Sequence, residues 1–362
     1  MQRRTFITSL AAASTLTSSN LLLANSEKDT RAKVAVLGAA DLIDANTKTV
    51  INKGLKYLAD RQITNGKLAG AFGQSGYSAG VAVTSLAGLA FMCSGSTPRD
   101  GKYASNIRQC TEFVLRNVRN TGYIARTSER QNSNMYGHGY AMLFLSQVYG
   151  MGLNKRVRDK LNKAIELTCK VQNREGGWRY QPVPQDADLS ITVCQIMALR
   201  AAHSAGFDVS NEVREKTMKY VEGCQNSNGS FNYTRRGGRQ TVALAAAGIV
   251  SYYSAGVYEG ERIEKALKWI YDRRPGKAGS RTVSPMNYYY AHYYAVQAMW
   301  HAQIQSPHYW NAWYPAIRDE LINQKMGRAG VWPDQRVGSE FGTAMACIIL
   351  QMPLNYLPVF SP

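Results

Sequence analysis

From about residue 45 onward, apolar positions follow a helical period, and the pattern alternates between two kinds of segment. In one kind, apolar residues form a single stripe separated by Lys, Arg and Glu. Examples are Val157, Leu161, Ala164, Ile165 and Thr168; Val213, Thr217, Tyr220, Val221 and Cys224; and Ile263, Ala266, Leu267 and Ile270. Such a stripe predicts an amphipathic helix with one buried and one wet face. The second kind is apolar on every side. Residues 241–255 carry no charge, and 80–92 are equally apolar. A helix apolar all round must be covered on all faces. Gly66, Gly176, Gly229 and Gly276 fall between the two kinds, where a helix stop is expected.

The alternation is accompanied by a repeated phrase. Gln172 opens Gln-Asn-Arg-Glu-Gly-Gly-Trp and Gln225 opens Gln-Asn-Ser-Asn-Gly-Ser-Phe. Both read Gln, three residues, Gly, one residue, aromatic. Gln62 to Gly66 repeats the first part with Leu68 in the aromatic position, and Gln324, Gly330 and Trp332 repeat it with two extra residues. The repeats fall at multiples of about fifty residues, which signals one supersecondary unit stacked many times. Six helical pairs are predicted, at 47–94, 103–151, 155–205, 210–256, 260–304 and 309–351. The expected architecture is all-α, an (α/α)6 toroid of six helical hairpins with the apolar helices inside. An open solenoid would need polar capping repeats, whereas the last predicted helix, 343–350, is strongly apolar.

The ends and the composition add context. Arg3-Arg4, an apolar run over 7–23 and small residues at 24–26 read as an export signal, residues 1–26, of the twin-arginine type. Residues 27–44 are expected to be a linker, and 45–362 a single toroid domain in a periplasmic or extracellular protein. Removing residues 1–26 lowers the net charge from +18 to +16. That balance favours acidic partners such as acidic polysaccharide or an anionic membrane surface, and export argues against nucleic acid. None of the six cysteines forms a Cys-x-x-Cys pair, and no metal-ligand set is evident. No metal or other cofactor is expected.

The Gln-x-x-x-Gly-x-Trp phrase resembles the repeat of squalene–hopene cyclases, oxidosqualene cyclases and protein prenyltransferase β-subunits. That resemblance covers about residues 45–355 and implies an α/α toroid. It does not select a chemistry, because the same fold serves several. The chain lacks the Asp-x-Cys zinc pair of protein prenyltransferases, and Gly223-Cys224-Gln225-Asn226 departs from the thioester motif of complement-type domains. Asp186-Ala187-Asp188-Leu189-Ser190 is similar to the Asp-x-Asp-Asp-Thr motif of class II cyclases, with Leu189 replacing the second paired acid. The resemblance implies Asp188 as the proton-donating acid, with Asp186 beside it. The alternative is that Asp188 caps a helix. A cyclase of long polyenes encloses its substrate between two toroids, so the cyclase reading carries the expectation of a homodimer.

In a toroid the inner helices all begin at one rim, so residues at their starts become candidates for one site. These are Tyr136 and His138 in the second unit; Trp178, Asp186 and Asp188 in the third; Arg239 in the fourth; Tyr289, Tyr290, His292 and Tyr293 in the fifth; and Glu340 in the sixth. Asp188, Asp186 and His138 are the candidate catalytic residues, the others candidate ligand contacts. Tyr289, His292 and Tyr293 are expected to share one helical face and Tyr290 another. Arg239 and Glu340 are expected as a possible ion pair. Two ligand classes fit: a hydrophobic isoprenoid-like molecule, whose cation aromatic faces stabilise, or an acidic glycan cleaved by a lyase-like reaction with Arg239 or His138 as base. A non-enzymatic binding or scaffold role is the third alternative.

Overall fold

Each amphipathic stripe folds as an outer helix and each all-apolar segment as an inner one. In the computed structural model, which describes residues 37–73, 80–126, 134–277 and 283–361, a short helix α1 (Ala39–Leu42) precedes the six outer helices. These are α2 (Ala45–Arg61), α4 (Ala104–Arg116), α6 (Lys155–Lys170), α8 (Asn211–Cys224), α10 (Glu261–Tyr271) and α12 (Pro307–Glu320). The inner helices are α3 (Val81–Met92), α5 (Asn134–Gly152), α7 (Leu189–Ser204), α9 (Val242–Ser254), α11 (Tyr288–Ala302) and α13 (Ser339–Gln351). The buried residues of α6, α8 and α10 are the stripes predicted from the sequence, whereas every residue of α9 is buried. The proposed export signal and most of the proposed linker lie outside the described residues. Residues 37–43 run along α12, where Leu37 accepts from Trp310 Nε1 at 3.4 Å and Leu42 O accepts from Arg318 at 3.0 Å.

The inner helices pack in the order α3, α5, α7, α9, α11, α13, and α13 returns to α3, so the ring is closed. The pairing differs from the sequence expectation. Each inner helix packs chiefly on the outer helix that follows it, and the last, α13, packs on the first outer helix, α2. Closure therefore joins the two ends of the domain. At the far end of the ring the C-terminal tail folds back: Leu357, Val359 and Phe360 are buried, and Phe360 stands 6.2 Å from Tyr293.

The repeated phrase is a clamp between neighbouring units. Gln172 Nε2 donates to Gly176 O in its own turn and to Val213 O in the next outer helix, at 2.9 Å each. Gln225 Nε2 donates to Arg262 O at 2.8 Å. The aromatic residue then locks turn to helix: Trp178 N–H donates to Thr192 Oγ1 at 3.2 Å and its indole N–H to Thr168 O at 2.8 Å. Trp332 repeats both bonds, to Thr343 Oγ1 and Leu321 O. The phrase glycine has positive φ and lies against the next outer helix. A Cβ at Gly176 would sit 2.0 Å from Lys216 O, and one at Gly229 2.3 Å from Lys265 O.

This geometry corrects two sequence readings. In the first unit the docking glycine is Gly70, 2.1 Å by the same measure from Gln109 O, and the aromatic is Phe72, whose N–H donates to Thr84 Oγ1 at 3.1 Å. Gly66 and Leu68 belong to an inserted 3-10 turn, Gly66–Leu68. The second unit, which the phrase search passed over, has its turn at Val118–Ile124, with Gly122 against Lys163 O. Val118 stands where the others have Gln, which hides the repeat.

Candidate functional site

The start of α7 is held by two repeat turns. Asp188 N–H donates to Trp178 O at 3.0 Å, and Leu189 N–H to Tyr233 O at 2.9 Å. The preceding inner helix is treated alike, with Met135 N–H donating to Tyr180 O at 3.2 Å. Backbone donors at helix starts lack intrahelical partners, and here carbonyls of the repeat turns, at Trp178, Tyr180 and Tyr233, supply them. The same register places the side chains of Tyr180 and Tyr233 beside the α7 start, with their hydroxyls 2.6 Å apart.

Asp188 is fully buried and caps α7. Its Oδ1 accepts from Ile191 N–H at 2.9 Å and from Ser190 Oγ at 2.5 Å. Tyr136 OH donates to Ser190 Oγ at 2.8 Å, and Tyr290 OH to Ser190 O at 2.9 Å. Asp188 Oδ2 has no hydrogen-bond partner among the described residues. Arg179 Nε stands 3.9 Å away, with its guanidinium paired to the exposed Asp186 and lying over the rings of Tyr180 and Tyr233. Burial pushes the Asp188 carboxyl above its ordinary value, while the bonds from Ser190 and Ile191, and the nearby Tyr233 and Arg179, oppose the shift. The cap reading thus holds for Oδ1, whereas Oδ2 accepts no hydrogen bond among the described residues and has Arg179 as its nearest charge.

Below this level the ring is filled. Helices α5 and α11 face each other across it, and their tyrosines meet. Tyr136 and Tyr290 rings are 6.0 Å apart, Tyr140 and Tyr293 6.1 Å, and the Tyr140 and Tyr294 hydroxyls 3.3 Å. Cys194 Sγ joins Tyr294 OH at 3.1 Å. Burial raises the phenols of Tyr136, Tyr140, Tyr290 and Tyr294 well above their ordinary value and the Cys194 thiol to about 12, so all stay protonated at neutral pH.

Of the sequence candidates, the fold brings Asp186, Asp188, Tyr136 and Tyr290 together, with Tyr293 deeper in the ring. It places the others elsewhere. His138 is buried on the outer side of α5, where Nδ1 accepts from Ile124 N–H at 3.1 Å and Nε2 bonds Thr168 Oγ1 at 2.8 Å. Both nitrogens are occupied, and burial lowers its pKa to about 3, leaving a neutral ring. Trp178 is a wall residue between α6 and α7. Tyr289 and His292 meet other neighbours than Tyr293 does: Tyr289 OH donates to Pro333 O at 3.2 Å, and His292 packs on Trp313. Arg239 is exposed, and Glu340 pairs with Arg61 of α2 at 3.3 Å rather than with Arg239. That pair helps close the ring. Arg179, Tyr180 and Tyr233 complete the cluster but were not singled out from the sequence, and Ser190, read there only as the end of the Asp186–Ser190 motif, joins them. Tyr180 and Tyr233 carried a signal, since each lies two residues after a repeat aromatic. Among the described residues no group of three or more His, Cys, Asp or Glu side chains is placed to hold a metal ion, and no helix is long and apolar enough to cross a membrane.

The family model described as "Prenyltransferase alpha-alpha toroid domain" matches residues 2–141 and 128–279. A comparison with curated proteins finds no match. Among solved structures, an inactive variant of the α-1,6-mannanase GH76A of Salegentibacter sp. HEL1_6, in complex with α-1,6-mannotriose, is similar at 12% identity. Its TM-score is 0.62, over 85% of this chain and 99% of that one. A variant of a type II terpene cyclase from Scytonema, in complex with geranylgeranyl dihydroxybenzoate, is 14% identical, with a TM-score of 0.56 over 86% and 98%. Cellobiose 2-epimerase from Bacillus thermoamylovorans B4167 is 10% identical, with a TM-score of 0.60 over 85% and 99%. At these identities the likeness is one of fold.

Proposed function

The chain belongs to the prenyltransferase α/α toroid family, and we propose that it binds an apolar, isoprenoid-like ligand at the mouth of the ring, with Asp188 as the acid acting on it. The observation that carries this reading is the buried carboxyl of Asp188, which has one oxygen fixed and the other without a hydrogen bond among the described residues. Protonating an alkene requires an acid that keeps its proton in a dry site, and burial favours the neutral form. The partly exposed rings of Tyr136, Tyr180, Tyr233 and Tyr290 surround that oxygen's side of the site. Their π faces attract a developing carbocation.

In this reading Oδ2 delivers a proton to a terminal double bond, and the cation is attacked by a neighbouring double bond. The cation finally gives a proton to water, so the product is an isomer of the substrate. The Tyr136–Ser190–Asp188 chain of hydrogen bonds offers a route for returning a proton to the carboxyl. Asp186 holds Arg179, whose Nε remains beyond hydrogen-bond distance of Oδ2. The tyrosines beneath fill the ring axis, so the reacting end of the ligand lies at the mouth. A type II terpene cyclase of the same fold holding a geranylgeranyl compound supports the ligand class. The Arg3-Arg4 segment supports an exported location.

The test is incubation of the purified protein with squalene and geranylgeraniol in deuterated water, followed by mass spectrometry. The expected product is an isomer carrying one deuterium, absent with Asp188→Asn. Turnover unchanged in Asp188→Asn removes the acid assignment. Failure of both lipids to bind or react removes the ligand class.

A further inference from the structure

The two faces of the ring differ in charge. The mouth face is built from the turns that lead from outer to inner helices, described over 62–73, 117–126, 171–188, 225–241, 272–277, 283–287 and 326–338. Their described residues carry eleven arginines and two lysines against five acids. The opposite face is built from the turns 93–103, 153–154, 205–210, 255–260 and 303–306 and the tail 352–361. It carries two bases, Arg99 and Lys102, against three acids, Asp100, Asp208 and Glu259. The positive charge of the turns is therefore gathered around the mouth, and mostly as arginine.

One mouth turn is shaped to present it. Thr234 and Gly237 exchange backbone hydrogen bonds at 3.1 and 3.0 Å, closing a tight turn with Arg235 and Arg236 at its tip. Gly237 and Gly238, at φ +112 and +125, carry the chain on to Arg239. Arg235, Arg236 and Arg239 are exposed and form no ion pair among the described residues. The turn begins at Tyr233, whose ring is contacted by Arg179 and whose hydroxyl meets that of Tyr180. The stem of Arg235 packs along Gly223 at the end of α8, so the arginines of this turn border an aromatic surface.

We propose that the mouth face is a docking surface for an acidic polysaccharide bearing carboxylate or sulfate groups, gripped by Arg235, Arg236 and Arg239. The arginine fork matches planar or tetrahedral oxyanions in a bidentate manner. A ring of one sign of charge raises the local concentration of a polyanion. A bilayer fits less well, because it needs apolar anchors. Among the described residues the exposed large apolar side chains of the mouth turns are Val183 and Met286, whereas Leu153, Val257, Ile304 and Tyr356 lie on the opposite face.

The experiment measures binding of the purified protein to polygalacturonate, dextran sulfate and neutral dextran at increasing salt. The expected result is salt-sensitive binding to both acidic polymers and none to neutral dextran. The variant R235S/R236S/R239S should lose about tenfold or more in affinity, since exposed charge contacts act through a screened but additive field. These side chains are exposed, so unchanged thermal unfolding is expected and separates lost binding from lost folding. The control K155S/R156S/R158S removes three charges near the opposite face and should bind as the parent does. Equal losses in both variants would mean that net charge, not this surface, is responsible, and would overturn the proposal. So would an unaffected mouth variant, or binding to vesicles of phosphatidylglycerol and phosphatidylcholine without binding to either acidic polymer. Lipid turnover by Asp188 is a separate readout, so either proposal can fail alone.

Discussion

If the repeat glycines are docking points, replacing one by Ala should cost far more than replacing a glycine of the same backbone conformation elsewhere. The structure supplies a matched pair. Gly229 has φ +88 and Gly256 has φ +89. A Cβ on Gly256 meets nothing within 4 Å, whereas one on Gly229 would lie 2.3 Å from Lys265 O and 2.4 Å from its carbonyl carbon. Both substitutions carry the strain of a left-handed L-residue, about 1 kcal/mol. Only Gly229→Ala must also push α10 away by about 1 Å, and overpacking of that kind costs about 2 kcal/mol more. For a domain of this size about 1 kcal/mol lowers Tm by roughly 2 °C. Gly256→Ala should therefore fall by about 2 °C and Gly229→Ala by about 6 °C. Gly122 and Gly206, at φ +90 and +91, form a second such pair with contacts at 2.0 Å and none. Thermal unfolding followed by circular dichroism measures all four. Equal losses within each pair would refute the clamp, leaving the glycines needed only for their turns.

The pH response separates Asp188 from the buried histidines. Burial raises the folded pKa of Asp188 above its unfolded value of 3.8, so the native state binds the extra proton between those values and loses stability as pH rises through that window. Asp188→Asn keeps the cap and should gain stability relative to the parent from pH 4 to pH 7 in urea titrations; a flat difference contradicts the raised pKa. His138, His292 and His301 have the opposite sign. Their folded pKa values are lowered to about 3 from 6.5, so the stability they contribute is complete above pH 6.5 and is lost as pH falls toward 3. His301→Phe should make unfolding less sensitive to acid below pH 6, seen as a smaller fall in urea midpoint. Tyr293 has a buried hydroxyl without a partner among the described residues, so Tyr293→Phe should be neutral or stabilising by about 1 kcal/mol. A loss larger than that in the same titrations would show the hydroxyl to be bonded.

The helical period was enough to define the outer stripes, the all-buried inner segments and the ring as a class. These are local properties, because burial on one side or on all sides is written into the spacing of apolar residues. The phrases at Gln172 and Gln225 were equally legible, and so was the convergence of Asp188, Tyr136 and Tyr290 from the starts of their helices. Other placements depended on helical direction. His138 lies two residues beyond Tyr136, and His292 two beyond Tyr290, which turns each about 200° away from the ring axis. A candidate list drawn from helix starts cannot make that distinction until the axis is known. The unit-one insertion displaced the glycine from Gly66 to Gly70, and Val118 concealed the second repeat, because the phrase is recognised by spacing while the fold needs only a glycine against the next helix.

Tertiary structure alone decided how the units join. The sequence sets out six outer–inner pairs in order, but packing unites each inner helix with the following outer one and α13 with α2. It also brought Tyr180 and Tyr233, 53 residues apart, to within 2.6 Å of each other above Asp188, and gathered scattered arginines on one face. Local pattern determines which side of a segment avoids water; only closure of the chain into a ring determines which distant segments then stand face to face.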